Sequence, residues 1–93
     1  MKGRDAILVT YPDGFRQQEA RSLVESADYQ IVKVFSQKYL NHSTYGLGPG
    51  KVEEIKGFLI QNKSDLVIVD EHITAKQNFN LEKTTGLKVI DRE

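Results

Sequence analysis

Apolar residues along this chain fall into four short, dense runs separated by three stretches in which they recur at helical spacing. The dense runs are Ala6, Ile7, Leu8, Val9 and Thr10; Ile31, Val32, Lys33, Val34 and Phe35; Leu66, Val67, Ile68 and Val69; and Leu87, Lys88, Val89 and Ile90. Short β-branched runs of this kind predict strands covered on both faces, as in a parallel sheet. Lysines interrupt the second and fourth runs, which places those strands at the edges, where a charge also blocks edge-to-edge pairing. The first and third runs are uninterrupted and belong at the centre.

The intervening stretches predict helices. Pro12, Asp13 and Gly14 stop the first strand, and Asp13 can cap the helix that follows. Its apolar face is Ala20, Leu23, Val24 and Ala27. Val52, Ile55 and Leu59 form the face of the second helix, expected to begin after the glycines, with Glu53 and Glu54 in its first turn. The third starts near Thr74, a good N-cap, and ends at Gly86, a good C′ residue. The order β-α-β-α-β-α-β, with connections long enough to hold helices, implies parallel strands and right-handed crossovers. The expected fold is α/β: one small three-layer domain over residues 1–93, with a four-stranded parallel sheet in the order 2-1-3-4. The long irregular stretch is 36–49.

Composition narrows the function classes. The chain has 93 residues, with Lys+Arg 13 balanced by Asp+Glu 13 and no cysteine. A net charge of zero argues against a nucleic-acid binder held by bulk positive charge, though not against a local basic face. Without cysteine there is no disulfide or thiolate chemistry. No run reaches the ~18 apolar residues of a membrane span, and no signal-peptide pattern opens the chain, so a cytoplasmic protein is expected.

Three places carry candidate chemistry. The first is Thr44, Tyr45, Gly46, Leu47, Gly48, Pro49, Gly50 and Lys51, between the second strand and second helix. Strand-to-helix loops at the carboxyl ends of a parallel sheet are where such folds bind ligands, and a helix N-terminus attracts anions. Gly46, Gly48, Gly50 and Lys51 are therefore candidate anion-binding residues. The alternative is a loop that needs glycine to turn. The segment is not a P-loop: Gly46 stands too close to the Gly-Lys pair, and Val52 follows Lys51 where a metal-binding hydroxyl would be needed. The second place is Asp70, Glu71 and His72, after the third strand. Asp70 is a weak metal candidate there, against a plain capping role. The third is the face Ile73, Gln77, Asn80, Leu81 and Thr84 on the last helix, too polar to be purely core. Gln77 and Asn80 either contact a partner or bond locally. Around the long loop, Lys38, Tyr39, His42, Tyr45 and Lys51 combine aromatic and basic groups that can stack on and neutralise RNA.

Three stretches together resemble the N-terminal domain of the HflX family of ribosome-associated GTPases. Thr44-Tyr45 and Leu47-Gly48-Pro49-Gly50-Lys51-Val52-Glu53-Glu54-Ile55 are similar to its T-Y-I-G-x-G-K-V-E-E-L. Asp65-Leu66-Val67-Ile68-Val69-Asp70, with Ile73-Thr74-Ala75-Lys76-Gln77 and Asn80-Leu81-Glu82, is similar to D-L-V-I-F-D…L-S-P-x-Q-x-R-N-L-E. Lys88-Val89-Ile90-Asp91-Arg92 is similar to K-V-I-D-R. Gly46 looks inserted, Pro49 stands where a basic or small residue is usual, and Phe79 replaces an arginine. Glu93 stands where the family has Thr and continues into a helical subdomain and the G domain. The resemblance implies a domain that acts on the large ribosomal subunit and its rRNA, alongside the GTPase domain of the same polypeptide. GTP and Mg²⁺ would belong to that G domain, whose motifs are absent here, so this chain is expected to hold no cofactor and to be non-catalytic by itself. In some members the N-terminal region is linked to ATP. The rival from another class is an independent nucleotide-binding or nucleotide-hydrolysing module built on the 46–51 loop. A purely structural domain packed on a GTPase is a third.

Overall fold

A computed structural model describes residues 4–38, 40 and 44–91. Seven elements follow in order: β1 (Arg4–Thr10), α1 (Gly14–Ser26), β2 (Tyr29–Ser36), α2 (Pro49–Gln61), β3 (Leu66–Val69), α3 (Ala75–Thr85) and β4 (Lys88–Ile90). The strands form one sheet in the order β2-β1-β3-β4, with every neighbouring pair parallel. This is the expected α/β architecture and strand order. The uninterrupted apolar runs do occupy the centre, because only central strands are covered on both faces and paired on both edges.

Alternation along the strands divides the core in two. Ala6 and Leu8 of β1, with Leu66 and Ile68 of β3, face Ala20 and Val24 of α1. Ile7, Val9, Val67, Val69 and Val89 face the other way, against Val52 and Ile55 of α2 and Leu81 of α3. One helix thus covers one face and two cover the other.

The edge strand β2 contains a device that its sequence does not display. Ala6 pairs with Ile31 but Ile7 pairs with Lys33, so Val32 is an extra residue in a β-bulge. Residues three apart in an unbroken strand face opposite sides. Here Ile31 and Val34 both pack on the α1 side, while Val32 and Phe35 both pack on the other. The bulge resets the alternation, and Lys33 is left exposed on the open edge.

The caps match their residues. Asp13 accepts a hydrogen bond from the Phe15 N–H at 2.9 Å. Thr74 and Gln77 form a reciprocal capping box at the start of α3, and Gly86 closes that helix at φ 76°. Two expectations are corrected. Helix α2 begins at Pro49, whose fixed φ and missing N–H suit a first helical position, so Gly50 and Lys51 lie in its first turn and Glu53 and Glu54 beyond it. On α1, Leu23 is 64% exposed and Ala27 is also exposed, leaving Ala20 and Val24 as the covered face. The reason is the position of α1 over β1 and β2, which puts Leu23 and Ala27 beside the sheet instead of over it.

Candidate functional site at the carboxyl ends of the central strands

From β1 the chain crosses to β2 on one side, and from β2 it returns across β1 to β3 on the other. The carboxyl ends of β1 and β3 therefore flank the switch point, where open α/β sheets hold ligands. β1 ends at Thr10 and is followed by Tyr11, and β3 ends at Val69 and is followed by Asp70 and Glu71. The first turn of α1 lies over these ends, because the Asp13 cap turns the chain back directly after Pro12.

These groups meet in one network. Asp70 is buried, and its Oδ2 accepts a hydrogen bond from the Thr10 hydroxyl at 2.8 Å. The Arg16 Nε lies 3.4 Å from the same oxygen, and the Arg16 Nη2 lies 3.8 Å from Glu71 Oε2. The Arg16 guanidinium sits 4.1 Å above the centre of the Tyr11 ring, a cation–π contact. The Tyr11 hydroxyl donates to Glu71, and Gln17 donates to the Tyr11 carbonyl at 2.9 Å. The crevice is thus filled by two carboxylates shared with one guanidinium and stacked on one ring.

Burial, then the hydrogen bond to Glu71 and the nearby carboxylate charge, push the Tyr11 hydroxyl up from 10.0 to about 12, against a smaller lowering by Arg16. Because the folded state holds this proton longer than the unfolded state, the resulting stability is fully present below pH ~10 and is lost as pH rises toward 12. In a titration followed by tyrosinate absorbance, one tyrosine should ionise near pH 12 in the folded protein. Tyr11→Phe should remove that step and flatten the loss of stability at high pH. Unchanged titration in Tyr11→Phe would assign the high value elsewhere.

The glycine loop lies beside this network and is joined to it by Gln37. The Gln37 N–H donates to the Thr10 carbonyl at 3.0 Å, and its Oε1 accepts from the Gly48 N–H at 3.0 Å. Gly46 adopts φ +85°, and a Cβ there would stand 2.7 Å from Ile73 Cγ2. Among the leading donors of α2, the Gly48 N–H is held by Gln37, Pro49 has none, and the Lys51 N–H bonds the Gly48 carbonyl at 3.0 Å. The Lys51 Nζ lies 3.3 Å from Glu54 Oε2 along the helix. Gly50 opens the same first turn.

The polar face of α3 is spent largely on this loop. Asn80 donates to the Thr44 carbonyl at 3.1 Å, and Thr84 lies 3.5 Å from the Tyr45 hydroxyl. Gln77 serves the capping box. Leu40 and Leu47 anchor the loop in the core, and Lys38 is exposed. Tyr39 and His42 lie outside the described residues. Among the described residues, no group of three or more His, Cys, Asp or Glu side chains could hold a metal ion, Asp70 included, and no helix is long and apolar enough to cross a membrane.

The structure therefore brings Asp70 together with Arg16, Tyr11 and Glu71, a set the linear pattern does not single out. Arg16 and Gln37 carry no local motif. Their one signal is position, Gln37 directly after β2 and Arg16 in the first turn of the helix that follows β1, and it becomes legible only with the strand order.

Comparison with known proteins places this arrangement. The profile of a family described as GTP-binding GTPase N-terminal matches residues 16–93. The chain is 35% identical over 89 residues to a protein named GTPase HflX from Caldanaerobacter subterraneus subsp. tengcongensis, covering 94% of this chain and 21% of that protein. It is 35% identical over 74 residues to GTPase HflX of Thermococcus kodakarensis, covering 80% of this chain and 17% of the relative. Its fold is similar to part of a GTP-binding protein from Sulfolobus solfataricus solved in complex with GDP, with a TM-score of 0.71 and 20% identity, over 96% of this chain and 27% of that one. The chain spans about a fifth of the length of the curated relatives it matches.

Proposed function

The chain belongs to the HflX family of GTPases and corresponds to its N-terminal domain, and on that premise we propose that it is a non-catalytic binding module acting on the large ribosomal subunit. GTP and Mg²⁺ would then be handled by a separate G domain. The observation that carries this reading is the filled crevice. The place where a free-standing nucleotide-binding sheet would receive its ligand holds Arg16 paired with Asp70 and Glu71. A nucleotide there would have to displace both carboxylates. The reading therefore moves binding to the outer loop, where Lys38, Tyr45 and the first turn of α2 with Gly50 and Lys51 present basic and aromatic groups to rRNA phosphates and bases. Gly46 and Gly48 shape that loop, and Tyr39 and His42 belong to the same segment.

The test is co-sedimentation with large ribosomal subunits at two salt concentrations. Binding should weaken steeply with salt. Lys38→Ala/Lys51→Ala should bind less tightly and with a salt slope smaller by about 1.5, from two lost phosphate contacts at ~0.7–0.9 each. Equal pelleting of both proteins would remove the loop from the interface, and no pelleting at any salt would favour a purely structural domain. GTP turnover by the purified chain, abolished by Lys51→Ala, would support the independent nucleotide module instead.

A further inference from the structure

Helices α2 and α3 start on N-caps of nearly the same backbone geometry, Gly48 at φ −69°, ψ 154° and Thr74 at φ −72°, ψ 163°. In α3 the N-cap N–H donates to the carboxamide of Gln77, the third helical residue, at 2.8 Å. That bond is the backward half of a capping box, and Glu or Gln is the residue type that makes it. In α2 the third helical residue is Lys51, whose side chain offers donors and no acceptor. The N-cap N–H of α2 donates instead to the carboxamide of Gln37, 11 residues upstream, at 3.0 Å. Gln37 is tied in turn to β1, its own N–H donating to the Thr10 carbonyl at 3.0 Å. Glycine at 48 makes room for this, since a Cβ there would stand 3.2 Å from Gln37 Nε2.

Lys51 thus stands where two local preferences favour an acidic or amide side chain. It cannot complete the box, and its charge faces the positive end of the helix dipole. Its ion-pair partner Glu54, 3.3 Å away, is more than half exposed, so that pair offsets little. A residue that breaks a local rule, in a fold otherwise consistent with its sequence, marks a functional position. We propose that Gln37 is a positioning residue that takes over the capping role of the third helical position and so frees that position for Lys51. The purpose rests on the ribosomal reading above, in which Lys51 meets an rRNA phosphate. By fixing Gly48 to the end of β1, Gln37 also sets where α2 begins, and with it where the Lys51 ammonium is presented.

The first test is hydrogen exchange of the Gly48 amide, followed by NMR. Gln37→Met keeps the side-chain volume and loses the acceptor. Gly48 should then exchange at least about tenfold faster, and by a larger factor than the core amides of β1 and β3. Gln37→Glu keeps an acceptor and should leave Gly48 protected. Gln37→Met/Lys51→Glu should restore protection, because the glutamate completes the box from the third helical position. Gln37→Met/Lys51→Ala, with an acceptor at neither place, should not. Unaltered Gly48 exchange in Gln37→Met, or equal exchange in the two double variants, would overturn the proposal. The second test is co-sedimentation with large ribosomal subunits. Gln37→Met should weaken binding severalfold when Lys51 is present and have no further effect in Lys51→Ala. Additive losses would overturn a role exerted through Lys51. Absence of pelleting by parent and variants alike, at any salt, would overturn the ribosomal reading and the purpose assigned to Lys51, while the exchange result decides the capping role by itself.

Discussion

Replacing Asp70 with alanine should cost about 2–4 kcal/mol of folding stability, a large fraction of the ~5–14 kcal/mol expected for a domain of this length. The Thr10 hydroxyl is fully buried and would lose its acceptor. Leaving a buried hydroxyl unpaired accounts for about 1–3 kcal/mol, and the lost packing of the buried side chain adds to it. The Arg16 side chain is 32% exposed, so breaking its pair with Asp70 adds less than rupture of a fully buried ion pair would. Asp70→Asn keeps an acceptor for Thr10 and loses only the charge, so it should cost about 1 kcal/mol. Urea denaturation of the two variants, together with Thr10→Val/Asp70→Ala, measures this directly. Equal losses in Asp70→Ala and Asp70→Asn would mean that charge pairing, not satisfaction of Thr10, dominates the crevice.

Gly46→Val should be the most damaging single change in the loop, at about 3–5 kcal/mol. A β-branched residue forced to φ +85° carries about 1–3 kcal/mol of backbone strain. Its Cβ would also meet Ile73 at 2.7 Å, and overpacking of that kind typically costs about 1–3 kcal/mol more. Gly46→Ala separates the two contributions when combined with Ile73→Ala, which removes the clash and leaves the strain. At ~4–8 °C per kcal/mol, Gly46→Val should lower the melting temperature by more than about 10 °C. A loss below about 1 kcal/mol would show that the loop turns without needing glycine at this position. Gly48→Ala should be far milder, since its nearest neighbour is the flexible end of Gln37 at 3.2 Å.

The contrast between these two glycines marks how far the sequence could be read. The 46–51 segment is recognisable as a strand-to-helix loop from its glycines and its place between β2 and α2. Which glycine bears a positive φ, and against what, depends on Ile73, a residue 27 positions away brought close by the β3–α3 connection. The same holds for α1. Its helical period is plain in Ala20, Leu23, Val24 and Ala27, but only Ala20 and Val24 are covered. Periodicity states that a face exists and not how much of the sheet lies beneath it.

By itself the sequence determined what short-range physics encodes. Unbroken β-branched runs set β1 and β3 at the centre, and lysines sent β2 and β4 to the edges. Asp13, Thr74 and Gly86 marked helix ends through bonds and dihedrals that span only a few residues. The family is legible for the same reason, since its motifs sit in those local segments in a fixed order. The tertiary structure alone decided the bulge at Val32, the pairing of Arg16 with Asp70 54 positions later, and the placing of α1 over β1 and β2. Each of these follows from parallel register and from the direction in which each crossover leaves its strand. Those quantities join residues far apart in sequence, and no local pattern of apolar and polar positions records them.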